Sequence, residues 1–101
     1  MVSNILVSVS TEDRATVELF NAWLRTEAPR RESVQGLGVG FLADLTSDPG
    51  NSWGGPKQPE CDVWGAALNH ADLDALVAKF AVLPWQVPAA TQLLVMDQEQ
   101  S

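Results

Sequence analysis

The period of the apolar residues switches repeatedly along this chain, and the order of the switches restricts the fold more than any motif does. Residues 2–9 alternate, with Ile5, Val7 and Val9 on one side and Asn4, Leu6 and Ser8 on the other, the pattern of a half-buried strand. Ser10 or Thr11 then offers an oxygen to cap a helix whose first turn carries Glu12 and Asp13, where the helix dipole favours negative charge. Ala15, Leu19, Phe20, Trp23 and Leu24 recur at helical spacing, and the helix is predicted to run to about Ala28, stopped by Pro29. Alternation returns from Leu37 through Val39, Phe41 and Ala43 to Leu45, and a third strand is predicted over Cys61 to Leu68. Asn69 is placed to cap a second helix with Leu73, Leu76, Val77 and Phe80 as its core face. Pro84 ends that helix, and Thr91 to Asp97 read as a last strand.

The element order is therefore β-α-β-β-α-β. It resembles the split β-α-β, or ferredoxin-like, plan, an α+β fold that implies a four-stranded antiparallel sheet in the order 4-1-3-2 with both helices on one face. At 101 residues there is room for one core only, so residues 1–97 are expected to form a single domain. Residues 98–101 are expected to be a frayed tail, and residues 46–60, rich in Pro and Gly, a long loop.

Thirteen acidic against six basic residues give a formal charge of -7, which speaks against phosphate backbones and anionic membrane surfaces as partners. Arg25, Arg30 and Arg31 are interspersed with Glu27 and Glu32, and read as a solvated helix end. No apolar run approaches the roughly 20 residues of a membrane span, the N-terminus lacks a basic leader, and Cys61 is the only cysteine. A cytoplasmic protein without cofactor or metal is the expectation.

If the two helices cover one face of the sheet, the other face should be polar. Its predicted members, Leu6, Leu42, Trp64, Leu68, Leu94 and Met96, are apolar instead, and such a patch marks an interface or a ligand surface. A second copy of the sheet is its simplest cover. Strands 3 and 4 are apolar on both sides, so their faces are the least determined; a slip of one residue exchanges them.

The motifs that suggest chemistry are weak. Gly38, Gly40 and Ala43 have the spacing of a dinucleotide fingerprint, but they precede a strand where that function requires a helix N-terminus. The same stretch, Val34 to Phe41, resembles the phosphate cradle of acylphosphatases in composition; it follows the first helix, where that cradle precedes it, and Leu42 stands where the family has arginine. Cys61 and His70 bracket one extended strand, on the order of 25–30 Å apart, too far for a thiolate–imidazole pair. Asp44 and Asp62 are the one candidate acid pair, at the mouth of the hairpin. Trp53, Lys57 and Glu60 in the long loop, with Trp64, Leu42 and Met96 on the sheet, are the candidate binding residues.

The expected function is a small non-catalytic interaction module, homodimeric through the open sheet face, with a protein partner as a further possibility. The alternative is a small enzyme resembling dimeric α+β-barrel proteins, with an apolar pocket between two sheets. A third reading, an acidic decoy of nucleic acid, requires one continuous acidic face. RNA recognition through the sheet is excluded by the missing basic edge and strand aromatics.

Overall fold

The computed structural model describes residues 2–31, 34–46 and 61–97. Four strands and two helices follow the predicted order: β1 (Val2–Val9), α1 (Arg14–Thr26), β2 (Ala43–Asp44), β3 (Asp62–Asn69), α2 (Leu73–Val82) and β4 (Gln92–Asp97). Short 3-10 turns at Thr11–Asp13 and Pro88–Ala90 lead into α1 and β4. The sheet is antiparallel throughout, in the order β2-β3-β1-β4, which is 4-1-3-2 read from the opposite edge.

β1 lies at the centre, and its odd-numbered residues build the core. Ile5, Val7 and Val9 share one buried cluster with Val17, Phe20 and Leu24 of α1 and Leu76 of α2. Phe20 also meets Phe80 of α2 edge-on, with ring centroids 5.6 Å apart, so both helices pack against this one side of the sheet.

The helices start and end for local reasons. Ser10 accepts from the Glu12 N–H at 3.3 Å, and at the far end of α1 the Glu27 and Ala28 N–H groups both donate to Trp23 O. α2 is capped by Asp72, which accepts from the Ala75 N–H at 3.2 Å, and not by Asn69. The difference arises at His70, whose φ of 56° turns the chain after β3 has run on through Asn69.

Two expectations about apolar stripes are corrected. α1 is rotated, so that Thr16, Val17, Phe20, Asn21 and Leu24 face inward while Ala15 and Leu19 face solvent. Polar residues are tolerated inside because they are paired: the Asn21 amide donates to Leu42 O at 3.2 Å and accepts from Leu42 N–H at 2.6 Å. In α2, Leu76 is buried and Leu73 and Phe80 pack at its margin, but Val77 is half exposed.

The second strand is also shorter than its alternation predicts. Only Ala43–Asp44 is strand; Gly36, Gly38 and Gly40 all adopt positive φ and break the pleat before it. The buried residues there are Val39 and Leu42, while Leu37 and Phe41 are exposed. This segment is tied instead to the end of α1, with Gly38 N–H donating to Ala28 O and Val39 N–H to Leu24 O.

Candidate interaction face

The strand registers assign every described sheet residue to a side. Val7 opposes Trp64 and Ser3 opposes Leu68, so Trp64 and Leu68 share the core side with Ile5, Val7 and Val9. Leu42, 2% exposed, is buried as well. Three of the residues expected on the open face thus belong to the covered one: β3 is apolar on both sides and its alternation does not choose between them, and the positive-φ glycines turn Leu42 inward.

Leu6, Leu94 and Met96 do lie on the open face, where they form part of an orderly surface. One row runs Val63, Ser8, Gln92 across β3, β1 and β4; the next runs Gly65, Leu6, Leu94, and the third Ala67, Asn4, Met96. Ala43 extends the middle row onto β2. A Cβ at Gly65 would come within 2.9 Å of Leu45 Cδ1 and 3.2 Å of Leu6 Cδ2, so both leucines lean over this glycine. Leu45, Leu94 and Met96 are each about half exposed.

These strand positions include Ser, Asn and Gln but no Asp, Glu, Lys or Arg. Asp44 and Asp62 fall on the other side, with Trp64. In a chain of net charge -7 an uncharged face is a marked departure from the rest of the surface. Over the first two rows lies a groove of about 590 Å³, lined by Leu6, Ser8, Val63, Gln92, Leu93 and Leu94.

The candidate acid pair sits at the covered side's edge. Asp44 Oδ2 meets Arg14 Nη1 at 3.0 Å, and its Oδ1 accepts from Thr46 N–H at 2.9 Å. The Arg14 guanidinium carbon also stands 5.1 Å from the centre of the Trp64 ring. Asp44 is therefore engaged in holding the β2 end to α1. No group of three or more His, Cys, Asp or Glu positioned for a metal occurs among the described residues.

Cys61, a half-buried free thiol, precedes β3, and His70 follows it, so the two stand at opposite ends of that strand. Arg30 and Arg31 are less solvated than expected. Arg30 donates to Gly38 O at 3.0 Å and Gln35 O at 2.8 Å; Arg31 donates to Ala71 O at 3.1 Å and Ser3 Oγ at 3.0 Å. Arg25 lies over the Phe41 ring at 4.8 Å. Trp53, Lys57, Glu60, Glu32 and the tail 98–101 lie outside the described residues.

Sequence reasoning missed Ala43, Leu45, Val63 and Ala67 as members of the open face. Once Val7 is paired with Trp64 the alternation of β3 assigns Val63 and Ala67, and the pairing of β2 with β3 assigns Ala43 and Leu45, but neither pairing is encoded in any local pattern. Among the described residues no helix is long and apolar enough to cross a membrane. The fold and face define an α+β protein with both helices on one side of the sheet and Leu45, Leu94 and Met96 about half exposed on the other. No protein-family model matches the chain, and comparisons with curated proteins and with solved structures find no significant match.

Proposed function

We propose that this chain is a small interaction module of ferredoxin-like plan that homodimerises through the open face of its sheet. The observation that carries the reading is the uncharged, largely apolar character of that face. Two copies of -7 each repel, and a face without carboxylates lets them meet without forcing acid against acid. A two-fold axis would place the same rows against each other, which a self-complementary apolar surface tolerates.

The area is compatible with a modest dimer. Strands of eight, two, eight and six residues cover on the order of 400 Å² per copy, or about 800 Å² in total, the size of a weak, transient interface. A dissociation constant on the order of 1–100 μM is expected. Against catalysis on this face stands its lack of any carboxylate, His or Cys in the strand rows. The single cysteine fits a reducing, cytoplasmic setting.

The test is sedimentation velocity across a concentration series. Wild type should pass from monomer to dimer, Leu94→Arg should remain monomeric, and Val82→Arg on the exposed side of α2 should behave as wild type. A wild type that stays monomeric at several hundred micromolar would reject the reading. Trp64 is unsuitable for this purpose, since it is buried in the core and its replacement by a charge would unfold the domain.

A further inference from the structure

The groove on the open face has the makings of a ligand site in its own right. Its volume of about 590 Å³ falls within the range of small-molecule pockets, and its walls are mainly aliphatic. Ser8 and Gln92 stand directly opposite each other at one end. Both line the groove, and neither side chain makes a hydrogen bond among the described residues, so a hydroxyl and an amide are available there to a ligand.

We propose that this groove binds a small uncharged amphiphile, an aliphatic chain ending in one hydroxyl or carbonyl. The chain lies over Leu6, Val63 and Leu94, and its polar end is held between Ser8 and Gln92. Among the described residues lining the groove an anion finds no cation, and it is repelled by the net charge of the protein. A cation finds no carboxylate among the same residues. The groove is open on the side that faces the partner sheet, so its lid rests on the homodimer reading, while its floor and polar end belong to one chain alone.

The probe is Nile red, an uncharged solvatochromic dye, titrated with the full chain and competed with 1-octanol or octanoate; the oligomeric state of each sample is read by sedimentation velocity. Dye fluorescence should rise and shift to the blue, and 1-octanol should displace the dye at a concentration at least tenfold below octanoate. Ser8→Leu, which fills the groove, should weaken dye binding at least tenfold with an unchanged circular dichroism spectrum. Ser8→Ala should leave the dye bound but weaken 1-octanol competition about threefold. Absence of dye binding, equal binding by Ser8→Leu, or equal competition by octanoate would overturn the site whatever the oligomeric state. Binding that depends on Ser8 in a strictly monomeric wild type would uphold the groove and remove only the homodimer.

Discussion

Asp13 has no exposed surface, and what it does there is not capping in the ordinary sense. Its Oδ1 accepts from the Gln86 N–H at 2.7 Å and its Oδ2 from the Val87 N–H at 3.0 Å, so one carboxylate ties the start of α1 to the turn before β4. Thr16 Oγ1 adds a longer contact at 3.4 Å. Hydrogen bonds to a charged group contribute about 1.5–3 kcal/mol each, so Asp13→Ala should destabilise the domain by about 2–4 kcal/mol in urea denaturation. Asp13→Asn should recover less than half of this, because its NH₂ would face a backbone N–H. A loss below about 0.5 kcal/mol for the alanine variant would show that the turn is held by other contacts. His70 makes a second test at this scale: its φ of 56° suits Gly or Asn, whereas Val is strained there. His70→Asn should stay within about 0.5 kcal/mol of wild type and His70→Val should fall by about 2 kcal/mol or more. The role of Asp13 was not legible in the sequence. A first-turn acid beside a helix start reads as a dipole partner, and its bonds reach residues more than seventy positions away.

The segment between α1 and β2 shows why a clean alternation misleads. Leu37, Val39, Phe41, Ala43 and Leu45 have strand period, yet only Ala43–Asp44 pairs as a strand with β3. The intervening glycines take φ values of 102°, 89° and 145°, which rotate the chain so that Val39 and Leu42 become the inward residues. Each glycine has its own surroundings. A Cβ on Gly38 would collide with the Arg25 carbonyl oxygen, part of a helix backbone that cannot yield, while on Gly36 it would meet the tip of the Arg30 side chain at 2.8 Å. Gly38→Ala is therefore expected to cost about 3 kcal/mol or more and Gly36→Ala about 1–2 kcal/mol. Equal costs in thermal and urea denaturation would contradict this account of the segment. The extents of the helices and the face of β1 were legible because their periodicity is long and consistent, but the face α1 buries was not, since it includes the polar Thr16 and Asn21. The side taken by β3 was not, since Val63, Trp64, Ala66 and Leu68 give both faces apolar residues, and only pairing with β1 decides between them.

For the molecule as a whole, the separation of charge from the open face makes a prediction that distinguishes association of copies from recognition of a basic partner. The strand positions that would meet carry no charge, so the described acidic residues oppose dimerisation only through space. Salt shortens the range of that repulsion, the Debye length falling from about 14 Å at 50 mM to about 4 Å at 500 mM. Raising sodium chloride over this interval should therefore tighten the dimer several-fold, as measured by the weight-average sedimentation coefficient at fixed protein concentration. An acidic decoy gripping a basic partner responds the other way, because its attraction is what salt screens. The same titration with Leu94→Arg should show no association at any salt, since one guanidinium per copy is then buried against its own image. Dimerisation that weakens with salt would place the contact on charged surface, and would move the candidate interface from the sheet to another side of the molecule.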